Sequence, residues 1–333
     1  MGPVTHIHAE QEKRYPLPRV PDVLLRGAGQ VMFQNSPWTG LLFLAGIFWG
    51  AWEAGRPEIA LGALVGLAMG TLAACLLKAP RSEIRAGLHG YNGILVGCAL
   101  PVFFGGGVVC WVLIVAGAFF STVIMMAVSQ VMRSWKVSAM TGPFVFTTWF
   151  ILLASYNFAN FNIASLPRPS LPVQPSEAVA SLPGLVAVLE ASLTGVSQVF
   201  LIDNPVTGAL FLAGIALSSL PAALLGWGGS FVAMAVAFFL GADAAGVEAG
   251  LYQFSAVLTA IGMGSTFYRP GPRVIVYALL ATVFTVVAQG ALNVALAPLG
   301  IPTLTFPFVI AAWLFLLPHV RLEPEGRGAS PSA

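Results

Sequence analysis

The chain has 333 residues, of which 57% are hydrophobic and 8% are charged, and its mean hydropathy is +0.86. A soluble domain carries about a quarter charged residues, so this composition excludes an ordinary soluble fold. The net charge of +2 comes from scattered basic residues, which do not indicate binding to nucleic acid.

Apolar runs predict five membrane spans in the first half of the chain, at residues 38–54, 59–77, 93–104, 108–132 and 139–156. Runs such as 59–77 and 108–131 can cross a hydrocarbon core of about 30 Å. Because backbone in lipid must satisfy its own hydrogen bonds, the spans are predicted to be α-helices. A short helix near residues 85–91 is predicted to re-enter the membrane before the third span.

The second half of the chain repeats the first. Eleven of eighteen residues are identical between segments 30–47 and 198–215. Segment 141–149 recurs at 305–313, and segment 86–91 is echoed at 249–254. Three blocks in the same order indicate an internal duplication, which in an apolar chain points to a transport site between two halves.

Five spans is an odd number, so the second copy is predicted to enter the membrane upside down. With the N-terminus inside, thirteen of the fifteen Lys and Arg residues fall on the inner side, and only Arg56 and Arg168 fall outside. The predicted fold class is an all-α polytopic membrane protein of two inverted-topology repeats, each with five transmembrane helices and a re-entrant pore helix. The predicted parts are a cytoplasmic segment 1–27, a first repeat 28–156, an extracytoplasmic linker 157–190, a second repeat 191–320 and a cytoplasmic tail 321–333.

Four polar residues repeated in both halves are the first candidates for a solute pathway. Gln30 and Gln198 begin matching blocks, and their uncharged amides can both donate and accept hydrogen bonds. An isolated glutamine more often caps a helix or bonds nearby backbone, but pairing across an inverted repeat favours a role in transport. Thr141 and Thr305 each stand before an x-Pro-Phe sequence at a helix entrance, and their hydroxyls are expected to meet in mid-membrane.

Apolar side chains accompany these polar groups. Phe33 lies three residues after Gln30 and corresponds to Leu201, while Tyr91 corresponds to Phe254. Leu95 and Leu258 form a further pair. Any one of these side chains is most simply explained by packing, but opposed flat side chains would admit a flat neutral solute. A hydrated ion would be excluded by the cost of desolvating its charge.

The ionisable residues argue against catalysis and against ion coupling. Most carboxylates fall at predicted span ends, and Asp203 is interpreted as an N-cap. His89 sits at the predicted re-entrant turn, where a structural role is favoured and pH sensing stays open. The chain has no catalytic triad, phosphate-binding loop or metal-ligand cluster, so no enzyme, cofactor or metal is predicted. The three cysteines lie in apolar runs and are interpreted as buried hydrophobes.

The chain resembles the urea transporter family, as a bacterial member, from about Gln30 to Trp313. The resemblance rests on the Gln-Val…Asn-x-Pro-x-Thr-Gly blocks, the Gly-Leu-His-Gly-Tyr-Asn-Gly turn at 87–93, Leu-Val-Gly at 95–97 and Thr305-x-Pro-Phe with Trp313. The sequence departs from the family pattern at Leu201, where an aromatic residue is expected, and at 253–255, where a Gly-aromatic-Asn turn is expected. Gln198 stands where some members carry an acid.

The resemblance implies a passive pathway through each subunit of a homotrimer. It implies that Gln30 and Gln198, with backbone carbonyls, accept the N–H groups of urea. Phe33 with one aromatic, and Tyr91 and Phe254 in opposite sites, would form slots for the planar solute. Thr141 and Thr305, with Leu95 and Leu258 beside them, would line the constriction.

Passive urea transport across the cell (inner) membrane, with both termini cytoplasmic, is therefore the predicted function. The partners are urea, the lipid bilayer and other copies of the chain. Two alternatives stay open: an ion-coupled secondary transporter, and a channel for another small neutral solute such as ammonia, a short amide or water. A scaffold without transport activity is disfavoured by the repeated polar groups.

Overall fold

The computed structural model describes residues 20–161, 163–172, 184–320 and 322. Predictions for the segment before residue 20, for the middle of the linker and for most of the tail concern residues outside this part of the chain. The described residues form helices joined by turns, and they contain no β-strand.

The part of the chain that the structure describes has fourteen α-helices, which fall into two sets of seven that follow the same order. The first set is α1 (Val20–Gln30), α2 (Pro37–Glu53), α3 (Pro57–Leu76), α4 (Arg81–Arg85), α5 (Gly90–Phe104), α6 (Val108–Met132) and α7 (Gly142–Ala154). The second set is α8 (Leu185–Ser197), α9 (Pro205–Ser218), α10 (Leu220–Phe239), α11 (Ala244–Glu248), α12 (Phe254–Ile261), α13 (Pro272–Leu296) and α14 (Phe306–Leu316). Matching members have matching lengths: α3 and α10 have 20 residues each, and α6 and α13 have 25 each.

Helix lengths divide the elements into long spans and short apolar helices. Among the described residues four helices are long and apolar enough to cross a membrane: Pro57–Leu76, Val108–Trp135, Leu220–Phe239 and Pro272–Leu299. The helices α8 and α9 form one further apolar pair, bent by 75°. By contrast α5 has 15 residues and α7 has 13. At 1.5 Å per residue these are about 22 and 20 Å long, which is shorter than a bilayer core.

Several predicted boundaries differ from those observed. Residues 86–89 form a turn rather than a helix, because α4 ends at Arg85 and Gly87 adopts a left-handed backbone with φ +74°. The helices α1 and α8 begin at Val20 and Leu185, ahead of the predicted repeat starts at 28 and 191. The helix α1 carries two charged residues, Asp22 and Arg26, which form an ion pair at 2.8 Å one turn apart on that helix.

Both α2 and α9 begin with the same cap. Ser36 Oγ accepts a hydrogen bond from Thr39 N–H at 3.3 Å, and Asn204 Oδ1 accepts one from Thr207 N–H at 2.8 Å. A proline follows each cap at the first helical position, where its missing N–H costs nothing. The N-cap of α9 is therefore Asn204, and the assignment of Asp203 to that role was wrong.

Glycines let α3 and α5 pack backbone to backbone. A Cβ at Gly66 would overlap the carbonyl oxygen of Gly93, and a Cβ at Gly97 would overlap that of Gly62. Glycines four residues apart are the usual way for apolar helices to approach closely in lipid. This packing holds α5, which carries Tyr91, against a long spanning helix.

The two halves meet through reciprocal hydrogen bonds between α2 and α9. Thr39 Oγ1 donates to the Gly214 carbonyl at 2.7 Å, and Thr207 Oγ1 donates to the Gly46 carbonyl at 2.8 Å. Each threonine lies in the first turn of its helix, and each glycine lies seven residues after the threonine of the same helix. The two helices are therefore antiparallel and related by a local two-fold exchange.

Replacing Thr39 with valine is expected to lower the free energy of unfolding by about 1 kcal/mol, because the buried hydroxyl bridges the two halves. Thr207→Val is expected to cost about the same, since its bond is the two-fold equivalent. The matched control is Thr282→Val, whose hydroxyl bonds only the Ala278 carbonyl within its own helix. Thermal unfolding in detergent checks this order, and an equal cost for all three variants would contradict it.

Candidate solute pathway

Gln30 and Gln198 make the same contact in the two halves. Gln30 Nε2 donates to the Ala86 carbonyl and Gln198 Nε2 donates to the Ala249 carbonyl, both at 2.8 Å. Since a carbonyl only accepts, the amide nitrogen of each glutamine must face it. Each side-chain oxygen then points elsewhere as an acceptor. The hydrogen bond to nearby backbone that a structural glutamine would make is therefore present in both halves. The same bond leaves the side-chain oxygen of each glutamine as the acceptor open to a solute.

Four non-glycine residues adopt a left-handed backbone in the turns that precede α2, α9, α7 and α14: Phe33 (φ 65°), Leu201 (φ 59°), Met140 (φ 53°) and Leu304 (φ 49°). They form two equivalent pairs, Phe33 with Leu201 and Met140 with Leu304. The left-handed region costs a residue with a Cβ about 1–2 kcal/mol. Such strain concentrates at functional sites, and all four side chains line the cavities described next.

The smaller cavity has a volume of about 210 Å³. It brings together five sequence-predicted or neighbouring groups: Gln30, Phe33, Tyr91, Thr141 and, from the other half, Phe308. Tyr91 donates its hydroxyl hydrogen to the Met140 carbonyl at 2.7 Å, which leaves the ring as its contribution to the wall. No charged residue lines this cavity among the part of the chain described.

The larger cavity has a volume of about 770 Å³ and is built from the equivalent residues. Gln198, Leu201, Phe254 and Thr305 line it, and Phe144 enters from the first half just as Phe308 enters the smaller cavity from the second. Arg168 and Asp243 also line it, so its outer part carries charge.

The two cavities approach each other at a pair of hydroxyls. Thr141 Oγ1 and Thr305 Oγ1 lie 2.7 Å apart, so the predicted meeting of these groups is observed. Each threonine lines one cavity and is almost fully buried, at 3% and 2% exposure. A hydroxyl can both donate and accept, so this pair offers the polar contact between two apolar walls.

Tryptophans on α7 and α14 hold the threonine turns in place. Trp149 Nε1 donates to the Pro302 carbonyl at 2.8 Å, and Trp313 Nε1 donates to the Ser138 carbonyl at 3.1 Å. Each indole reaches the turn that precedes the other helix. The two threonine turns are therefore linked by a second pair of reciprocal hydrogen bonds.

The remaining apolar candidates differ in position. Leu95 and Leu258 are fully buried and line neither cavity. Phe33 contacts Phe267 and Phe308 edge to face, with ring planes 80° and 72° apart. These rings do not form a parallel sandwich in this conformation.

Sequence reasoning missed several polar groups of the larger cavity, and Gln289 is the one among them with an unpartnered oxygen. Gln289 lies in the middle of α13, and its Nε2 donates to Asn293 Oδ1 at 2.9 Å and to Thr303 Oγ1 at 2.7 Å. Its Oε1 is buried without a hydrogen-bond partner in the described structure. The equivalent position in α6 is Met125, so a search for repeated polar residues could not find it. A lone glutamine within a 25-residue apolar helix was the available signal.

The departure at 253–255 has a structural consequence. Asn92 Oδ1 accepts a hydrogen bond from the Phe144 N–H at 3.1 Å, which anchors the start of α7. The equivalent residue, Ser255, has a buried hydroxyl without a partner, and its shorter side chain makes no such bond to α14. Gln253 stands at the position equivalent to Gly90, and its Nε2 donates to the Val247 carbonyl at 2.7 Å.

Replacing Asn92 with serine is expected to destabilise the fold by about 1–3 kcal/mol, because it leaves the buried Phe144 N–H unsatisfied. The matched control is Ser255→Ala, which removes a hydroxyl that has no partner and is expected to be nearly neutral. Thermal unfolding compares the two. A neutral Asn92→Ser would show that the α7 anchor contributes nothing.

Other ionisable groups stand apart from the pathway. His89 lines neither cavity and faces Glu83, with Nε2 and Oε2 3.2 Å apart. In the described residues no group of three or more His, Cys, Asp or Glu side chains is arranged to hold a metal. The three cysteines form no disulfide, and Cys75 is exposed where burial was predicted, whereas Cys98 and Cys110 are buried.

The described residues are helical, they include four helices apolar enough to cross a membrane, and two cavities meet at a pair of hydroxyls, an arrangement expected of a membrane transport protein. The family model described as "Urea transporter" matches residues 21–320. The chain therefore belongs to the urea transporter family. It is a transport protein for urea and not an enzyme, so both of these predictions are confirmed.

Individual relatives agree with the family model. Urea transporter 1 of Ovis aries is 32% identical over 299 residues, covering 89% of this chain and 76% of the relative. Urea transporter 1 of Rattus norvegicus is 33% identical over the same length and coverage.

Proposed function

We propose that urea crosses this protein passively, from one cavity to the other past the Thr141–Thr305 hydroxyl pair. The observation that carries the proposal is this pair, 2.7 Å apart, with equivalent cavities on its two sides. Urea is flat, neutral and rich in N–H donors. A row of acceptor oxygens beside apolar walls therefore suits it better than it suits an ion.

The proposed acceptors are Gln30 and Gln198, each oriented by its bond to a turn carbonyl. Phe33 and Tyr91 on one side, and Leu201 and Phe254 on the other, would flank the solute. Leu95 and Leu258 would support the constriction from behind, since both are fully buried. In the larger cavity we add Gln289, whose buried Oε1 lacks a partner, as a further acceptor.

The proposed architecture is the inverted-topology repeat of residues 28–156 and 191–320, with five spans and a re-entrant helix in each half. The reciprocal bonds of Thr39 and Thr207, and of Trp149 and Trp313, support it, because an antiparallel exchange of halves produces such pairs. Both termini on the cytoplasmic side, the linker 157–190 outside and the tail 321–333 inside follow from the distribution of basic residues. A homotrimer in the cell (inner) membrane follows from the family resemblance.

Stopped-flow urea flux into proteoliposomes, with and without an imposed proton or sodium gradient, tests this function. Fast flux that ignores the gradient and is absent from empty liposomes is expected. Flux that requires the gradient would overturn the passive mechanism in favour of ion coupling. Faster passage of ammonia, a short amide or water than of urea would overturn urea as the main solute.

A further inference from the structure

A second cavity of about 770 Å³ lies outside the pathway, between α1, α3 and α4. Its walls are apolar and include Leu24, Ala68 and Leu72. Three basic side chains, Lys78, Arg81 and Arg85, line its end. We call this cavity the basic groove. It shares no lining residue with either cavity of the pathway.

The charge in the basic groove is of one sign. No Asp or Glu is found among the described residues that line it. On the groove's own helices, Asp22 pairs with Arg26 at 2.8 Å, and Glu83 faces His89 at 3.2 Å. An anion with an apolar tail would complement such a surface on both counts.

The groove lies where a spanning helix reaches the membrane surface. The helix α3 has 20 residues and is apolar enough to span, and Lys78 follows its end at Leu76. Leu72 and Cys75 lie on the last turns of this helix and are exposed. The apolar walls are therefore at the depth of acyl chains, and the cations are at the depth of headgroups.

The two halves differ in charge at the basic groove, although the paired glutamines and threonines recur in both. The repeat equivalents of Lys78, Arg81 and Arg85 are Gly241, Ala244 and Glu248, which carry no positive charge. Lys78 even adopts a left-handed backbone with φ +56°, at the position where the second half uses glycine with φ +75°. A feature for one leaflet should occur in only one half, since antiparallel halves present these ends to opposite leaflets.

We propose that the basic groove binds an anionic phospholipid, with an acyl chain along α1 and α3 and the phosphate at Lys78, Arg81 and Arg85. The argument uses the antiparallel halves but not the identity of the solute. Phosphate groups are favoured partners of arginine, and each basic side chain near the surface contributes about fivefold to binding of anionic lipid.

Cys75 supplies a readout that does not depend on transport. It lines the groove and is exposed, whereas Cys98 and Cys110 are buried. A bound lipid should therefore shield Cys75 from N-ethylmaleimide. The full chain is reconstituted in phosphatidylcholine vesicles with and without phosphatidylglycerol, and alkylation is followed by mass spectrometry, with Cys75→Ser as the blank.

The rate of Cys75 alkylation is expected to fall severalfold when phosphatidylglycerol is added. The double variant K78Q/R81Q should need about twenty-five times more phosphatidylglycerol for the same protection. The matched control is R133Q/R273Q, which removes two exposed charges outside the groove and should keep the protection. The control accounts for any general effect of vesicle surface charge on the thiol.

Several results would overturn the proposal. Equal alkylation in both lipids, or full protection retained in K78Q/R81Q, would exclude an anionic lipid at these residues. Equal protection by inorganic phosphate in phosphatidylcholine would indicate a free anion instead. An unreactive Cys75 in phosphatidylcholine alone would mean that another copy of the chain covers the groove. If K78Q/R81Q does not fold, native mass spectrometry of the single variant K78Q is used instead. Weaker retention of phosphatidylglycerol than in the unmodified protein supports the proposal, and equal retention overturns it. Urea flux separates this test from that of the proposed function, because flux can fail while the lipid binds.

Discussion

Replacing Thr305 with valine is expected to slow urea flux about fivefold to tenfold while the protein still folds. The hydroxyl at Thr305 is one of the two that meet between the cavities, and losing one hydrogen bond there is expected to cost a desolvated solute about 1–1.5 kcal/mol. Valine has nearly the same shape, so the change is chemical rather than steric. Stopped-flow urea flux, normalised to the amount of reconstituted protein, measures it, and Thr141→Val should behave alike.

A second buried hydroxyl pair provides the control for this experiment. Thr259 Oγ1 and Thr285 Oγ1 lie 2.9 Å apart between α12 and α13 and line neither cavity. Thr285→Val therefore removes the same chemistry from a site off the pathway. Unchanged flux in Thr305→Val, or an equal loss in Thr285→Val, would contradict the assignment of Thr141 and Thr305 to the constriction.

Replacing Gln198 with alanine is expected to raise the urea concentration for half-maximal flux about fivefold, because one acceptor in the larger cavity is lost. The bond to the Ala249 carbonyl is lost too, so a modest drop in thermal stability should accompany it. A purely structural glutamine would give the stability change alone. Concentration-dependent flux distinguishes these outcomes.

The matched control for Gln198 is Gln34→Ala. Gln34 is buried and donates to the Met32 carbonyl at 2.8 Å, but it does not line either cavity. It should lose stability without a change in the half-saturating concentration. A wild-type value in Gln198→Ala, with reduced stability in both variants, would return Gln198 to the role of a backbone anchor.

The internal repeat allowed much of the proposed pathway to be predicted from the sequence. Polar groups that recur at equivalent places predict two pairs of site residues, Gln30 with Gln198 and Thr141 with Thr305. In the structure the members of each pair occupy equivalent positions. Urea transport itself followed from the family resemblance, which the family model confirms. Gln289 and the basic groove escaped the same reasoning because neither has an equivalent in the other half.

Local sequence was a poor guide to where elements begin. Within the predicted helix at 85–91, residues 86–89 form a turn, and α1 and α8 start earlier than the predicted repeats. For the turn, the deciding contact comes from elsewhere in the chain. Gly87 lies against the backbone of Arg26 and Gly27, which leaves no room for a Cβ.

The sequence by itself determined the solvent, the helical class, the duplication and the chemistry available to a solute, because composition, span length and repeated motifs are local properties. Only the tertiary structure decided how the two threonine turns are linked: Trp149 and Trp313 each donate to the turn that precedes the other helix. It also decided that Leu95 and Leu258 are buried away from the cavities and that one end of α3 carries a basic groove. These depend on antiparallel packing of distant segments, and the spacing of residues along a chain does not encode that packing.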